Sequence, residues 1–126
     1  MRLTPLLLVG CGGFAGAVAR YLVGVAVARV AGTAFPWATF VINVSGCFLI
    51  GFFLTLTTER VTVHEAWRFF LPVGFIGSYT TFSTYEWEIL KLGEDAAWGR
   101  ALGYVLASTL AGFAAVWLAA WTARRF

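Results

Sequence analysis

Residues 74–88 read GFIGSYTTFSTYEWE and lie inside a hydrophobic segment. The stretch holds Gly74 and Gly77, the hydroxyls of Ser78, Thr80, Thr81, Ser83 and Thr84, and the closely spaced rings of Phe82 and Tyr85. A uniform helix in lipid has no use for that mixture. Backbone facing acyl chains must bond within its own segment, so irregular backbone at membrane depth survives only where protein or a water-filled path surrounds it. The stretch therefore predicts a membrane span that breaks near residues 74–81, and a site made by the break.

The rest of the chain supplies the membrane setting. Of its 126 residues, 60% are hydrophobic and only 12% are charged, and apolar runs of about 20 residues mark spans. The fold class expected is an all-α membrane protein, one domain over 1–126 with four transmembrane helices at about residues 6–27, 38–57, 66–91 and 101–123. Four helices enclose little space, so an oligomer is expected. The net charge of +3 is scattered; no basic run points to nucleic acid, and the excess fits the flanks of membrane spans. The apolar run after Arg2 continues to about Val27 without a clean cleavage site, which reads as a retained first span, not a signal peptide.

Within span one, Gly12 and Gly16 stand four apart with Gly13 and Ala17 beside them, a spacing that lets helix backbones approach closely in lipid. Arg20 is the exception in that span. It is either an arginine snorkelling to the interface or a cation at an aqueous vestibule that attracts anions. Pro36 and Trp37 suit the start of span two and an interfacial anchor. In span two, Thr39, Asn43, Gly46 and Ile50 share one helical face. Asn43 is either an interhelical hydrogen bond or a pore-lining donor, since its amide carries two N–H groups. Pro72 and Gly74 interrupt the first half of span three and Gly77 follows; discontinuous helices place partial charges and free carbonyls at depth. Past the break, Phe82 and Tyr85 share one face, and Thr80, Thr84 and Glu88 share another. Tyr104, Ser108, Ala111 and Ala115 form a face of polar and small residues on span four, which should turn inward.

The possible chemistry is narrow. Cys11 and Cys47 lie inside apolar spans and read as small core residues, not as a disulfide or metal pair. His64 is the lone histidine, in a polar loop, so no nucleophile–base set and no metal-ligand spacing exist. There is no P-loop, and no enzyme is expected. Of the carboxylates Glu59, Glu65, Glu86, Glu88, Glu94 and Asp95, none is deep in spans one, two or four. Donors therefore outnumber acceptors along any path: Asn43, Ser78, Thr80, Thr81, Ser83, Thr84, Tyr104 and Ser108. Ring edges carry partial positive charge, so Phe82 and Tyr85 add to them. Stripping water from a small anion costs many kcal/mol, and a narrow path needs such groups in its place. Basic residues flank the two ends of the spans almost evenly: Arg2, Arg60, Arg68, Arg124 and Arg125 against Arg29, Lys91 and Arg100. With so little bias the chain can insert both ways, and two inverted copies can pair about an axis in the membrane plane.

The segments GGFAGAVARY, FPWATFVINVSGCFLIG and GFIGSYTTFST, in that order and with that number of spans, resemble the CrcB/Fluc fluoride channel family over essentially the whole chain. The resemblance implies a dual-topology, antiparallel homodimer of four-span subunits in the cell (inner) membrane, with third helices broken and two pores passing fluoride down its gradient. It implies a structural sodium ion on the two-fold axis, held by backbone carbonyls that by motif position are Gly77 and Thr80. Asn43 matches the pore-mouth asparagine and Phe82 the first of two pore phenylalanines. Tyr85 stands where the second is common. Ser83, Thr84 and Glu88 match the run through and after the motif, and Tyr104 and Ser108 a polar track whose next position is Gly112 here. Arg20 matches the arginine that closes the glycine motif. Two other readings compete. A small multidrug exporter requires a carboxylate in span one, and none lies between Leu6 and Val27. A non-transporting scaffold subunit requires only that Asn43 and the hydroxyls tie neighbouring helices.

Overall fold

A computed structural model describes residues 3–126, and every regular element in it is helical. Helix α1 spans Leu3–Ala31 and α2 spans Trp37–Glu59. The third element is composite. A single turn, α3 (Glu65–Arg68), leads into π-helix over Phe69–Ile76, then a short α4 (Gly77–Tyr79), two extended residues, and α5 (Phe82–Glu94). Helix α6 spans Trp98–Ala123. Helices α1, α2 and α6 are long and apolar enough to cross a membrane.

Contacts fix the directions of these elements. Arg124 binds both carboxyl oxygens of Glu59 at 2.9 and 3.0 Å, while Arg100 reaches the Ala34 carbonyl at 3.3 Å. The C-terminal ends of α2 and α6 therefore lie together, as do their N-terminal ends, and the two helices run side by side in one direction. Along α1, Gly12 meets the Phe70 carbonyl and Gly16 the Phe75 carbonyl, so the π segment runs parallel to α1. Tyr79 bonds Ser45 and Glu88 bonds Thr39, so the third element runs antiparallel to α2. Up, down, up, down is the order.

Glycine makes the α1 contact possible. A Cβ at Gly12 would stand 2.2 Å from the Phe70 carbonyl oxygen, one at Gly16 2.1 Å from that of Phe75, and one at Gly74 3.0 Å from the Gly12 Cα. No side chain fits there, and the backbones touch. The π geometry also has a local cause. Pro72 has no N–H, and its ring would strike the carbonyl four residues back in an α-helix. The wider turn gives that ring room, and a π-helix of this length is unusual.

The expectation of a break over 74–81 is corrected here. Pro72 and Gly74 are absorbed into the π-helix, and the helix is interrupted only at Thr80 (φ −80°, ψ 157°) and Thr81 (φ −148°, ψ 106°). Consequently Thr80 shares no helical face with Thr84 and Glu88, because the extended pair lies between them. On the other side of the element, Gly93 leaves space for the Trp98 ring, which a Cβ would approach to 2.7 Å. That contact closes the turn between α5 and α6.

Candidate functional site

Two extended residues inside a helix release backbone groups, and α2 takes them up. The Asn43 side chain donates from Nδ2 to the Thr81 carbonyl at 3.1 Å and accepts the Thr81 N–H on Oδ1 at 2.8 Å. One side-chain amide thus pairs with one backbone unit as a neighbouring strand would. Thr81 also caps α5: its Oγ1 accepts the Thr84 N–H at 3.3 Å and donates to Thr84 Oγ1 at 2.9 Å. In an unbroken helix the Thr81 and Thr84 N–H groups would bond the carbonyls of Gly77 and Thr80. Both are diverted, so the carbonyls of Gly77 and Thr80 lose their helical donors. Gly77 is exposed on the surface of the chain. Unwound carbonyls of this kind suit an alkali cation. No cluster of three or more His, Cys, Asp or Glu side chains offers an alternative among the described residues.

Asn43 keeps one N–H free, and it lines a cavity of about 400 Å³. Gly46, Cys47 and Ile50 of α2, Pro72, Ile76, Gly77 and Thr80 before the break, Phe82 and Tyr85 after it, and Ser108 and Thr109 of α6 form the rest of the wall. No carboxylate is among them. Phe82 is 72% exposed at the cavity's open side, whereas Tyr85 is 8% exposed; their ring centroids are 5.8 Å apart. Gly46 admits Thr80, since a Cβ there would lie 2.1 Å from Thr80 Cγ2. Ser108 Oγ is enclosed and has no hydrogen-bond partner among the described residues.

Below the cavity, Glu88 is held from two helices. Thr39 donates to its Oε1 at 2.7 Å and Tyr104 to its Oε2 at 2.8 Å. Tyr104 is fully buried, with the rings of Tyr85 at 5.0 Å and Phe35 at 5.2 Å meeting it edge-on. Above the break, Ser45 Oγ donates to the Ile42 carbonyl, which leaves the Tyr79 hydroxyl to donate to Ser45 at 2.8 Å.

The structure therefore gathers Asn43, Gly77, Thr80, Phe82, Tyr85 and Ser108 about one cavity and sets Tyr104 and Glu88 beside it. Ser83 and Thr84 face outward. Arg20 is half-buried on α1, away from these walls, and makes no hydrogen bond or ion pair among the described residues. Cys11 is exposed, and Cys47 stands over Gly112, where an added Cβ would be 3.3 Å from its sulfur. Sequence reasoning passed over Thr109, which looks like one more polar residue beside Ser108. Nothing in its sequence setting marks it out from a hydroxyl that bonds its own backbone.

A family model described as "CrcB-like protein, Camphor Resistance (CrcB)" matches residues 7–120. The chain is 49% identical over 119 residues to a protein of Solibacter usitatus named fluoride-specific ion channel FluC, covering 94% of this chain and 98% of that one. A protein of the same name from Acidobacterium capsulatum is 49% identical over 110 residues, covering 87% and 88%. One from Caulobacter vibrioides is 42% identical over 124 residues, covering 98% of both.

Proposed function

The chain belongs to the CrcB family, and on that premise we infer that it is a fluoride-specific ion channel of the membrane, not an enzyme, whose anion path runs along the capped break. The observation that carries the route is the cavity lining. It offers the free Asn43 N–H, the unpartnered Ser108 hydroxyl and the Phe82 and Tyr85 rings, with no carboxylate among them. An anion leaving water loses many kcal/mol of hydration, and hydrogen bonds to an ionised partner are roughly twice as strong as neutral ones.

Transport is passive. Fluoride that enters as the neutral acid ionises inside, and a negative-inside potential of 100 mV drives each anion outward by about 2.3 kcal/mol. The third element makes the fourth crossing: its start lies beside Thr4 and Pro5 of α1, and its end beside Ala28 and Gly32. Asn43 opens the path, Phe82 and Tyr85 present ring edges, and Ser83 and Thr84 lie on the adjoining face. Ser108 continues the path on α6, and Tyr104, committed to Glu88, stands beside it. Thr39 and Tyr104 fix Glu88 so that its carboxyl turns away from the ion. Arg20 contributes a positive field at the vestibule.

The working unit is an antiparallel homodimer. The cavity is open on the side where Gly77 and Phe82 are exposed, and acyl chains cannot serve carbonyls or hydroxyls there. An inverted second copy covers that face. The carbonyls of Gly77 and Thr80 would hold a structural sodium ion and supply it with oxygen ligands. Protein reconstituted in liposomes tests the route. Phe82→Ile is expected to abolish fluoride efflux while the dimer persists on a sizing column; full conduction by that variant removes Phe82 from the path.

A further inference from the structure

A second cavity, of about 480 Å³, opens on the outer side of the α2–α6 pair. Val41, Phe48 and Leu49 of α2 and Ala115 and Leu118 of α6 form most of its wall. Its one hydroxyl, on Ser45, is already spent: Ser45 donates to the Ile42 carbonyl at 3.1 Å and receives the Tyr79 proton at 2.8 Å. The groove therefore accepts only apolar matter. It is also remote from the break. Val41 and Phe48 stand on the face of α2 opposite Asn43 and Ile50, which line the break cavity. The groove thus lies outside the face assigned above to a second copy.

Toward the C-terminal ends of α2 and α6 the apolar strip continues and then meets charge. Phe48 stacks on Phe52 with centroids 6.3 Å apart, and Phe52 meets Phe126 edge-on at 6.0 Å. On α6, Leu118, Trp121 and Arg125 are i, i+3 and i+7 and share one face. Three arginines gather at this end. Arg124 pairs with Glu59, and Arg60 donates to the Arg124 carbonyl, as basic side chains commonly do at helix C-termini. Arg125 differs. It makes no ion pair among the described residues, and its guanidinium sits over the Trp121 ring at 3.7 Å. The stack fixes the group and leaves its N–H donors unspent, in the planar array that matches a phosphate.

The spacing suits one leaflet. Ten residues of helix separate Arg125 from Ala115, about 15 Å, which is half of a hydrocarbon core of about 30 Å. We propose that the α2–α6 groove binds an anionic phospholipid, with its phosphate on Arg125 and an acyl chain running past Leu118 into the cavity. Three arginine side chains against the single carboxylate of Glu59 leave this end cationic, which favours a headgroup of net negative charge over a zwitterionic one. The site shares no side chain with the anion path, so its loss leaves the channel reading as it stands.

Native mass spectrometry of the full chain in delipidated nonionic detergent tests this, with dioleoyl-phosphatidylglycerol titrated in. Phosphatidylglycerol is expected to stay bound under activation that strips dioleoyl-phosphatidylcholine. Glycerol phosphate, which has the head without the tails, is expected not to compete. Arg125→Gln should raise the phosphatidylglycerol concentration for half occupancy by about tenfold. Ala115→Phe, which fills the groove from the other end, should lower occupancy while the oligomeric state stays that of the parent. Arg125 is on the surface, so its replacement reports on the lipid even if the filled groove does not fold. Equal retention of the two lipids, or parental binding by Arg125→Gln, overturns the proposal. Competition by glycerol phosphate overturns it in favour of a site for the head alone. A changed oligomeric state in Ala115→Phe overturns it in favour of a second copy in the groove.

Discussion

Asn43→Ala removes the one side chain that bonds both backbone groups of Thr81. The Thr81 N–H loses a 2.8 Å bond and its carbonyl a 3.1 Å bond, and each group left without a partner costs about 1–3 kcal/mol. The cavity beside Thr81 is open and can admit water, so the lower part of the range applies, about 3 kcal/mol for the two together. For a chain of this size that corresponds to a fall in Tm of about 10 °C. The assay is thermal loss of monodisperse protein in detergent. Ser45→Ala is the control, because it removes the acceptor of a single side-chain bond from Tyr79 and should move Tm by a third of that or less. Fluoride efflux should fall in Asn43→Ala even well below its Tm, since the vestibule donor is gone as well. An Asn43→Ala protein as heat-stable as the parent would refute the argument that the break depends on this amide.

Other perturbations follow from the same contacts. Gly16→Ala drives a methyl into the Phe75 carbonyl at 2.1 Å, backbone that cannot rotate away, whereas Gly10→Ala meets nothing. The first is expected to cost about 1–3 kcal/mol by overpacking and the second to leave Tm unchanged, both read by thermal unfolding. Tyr104→Phe strips the donor from Glu88 Oε2 and is expected to destabilise by about 2 kcal/mol, with Thr39→Val acting on the other oxygen; a Tyr104→Phe protein with parental Tm would make the Glu88 tie dispensable. Glu59→Gln breaks the Arg124 pair, which lies on the exposed surface. Solvent screens such pairs, so Tm should not move.

Much of this arrangement could be read along the chain. The GCGGFAG spacing announced a close backbone contact, and Gly12 and Gly16 do meet carbonyls of the third element. The hydroxyl-rich stretch announced a break, and Thr80 and Thr81 are extended. The place of the break was overestimated because Pro72 and Gly74 weaken an α-helix locally, while the π-helix that absorbs them depends on α1 packing against the wider turn. For Asn43 both roles stayed open, and no spacing could say that its amide meets Thr81, 38 residues away. That pairing is set by the height at which α2 crosses the third element. Likewise Thr39, Glu88 and Tyr104 each stood out as polar, but their convergence needed three helix ends at one level. Thr109 was missed because a hydroxyl on a helix commonly returns to its own backbone, and only the folded chain shows that this one does not.

On the proposed mechanism an anion crosses beside the break under its own electrochemical gradient. A planar bilayer holding the protein, with fluoride tenfold more concentrated on one side and chloride tenfold more concentrated on the other, measures this directly. The current should reverse at the fluoride equilibrium potential, about 59 mV from zero in the direction set by fluoride. Reversal at zero or at the chloride potential, or no current above that of bare lipid, would contradict it.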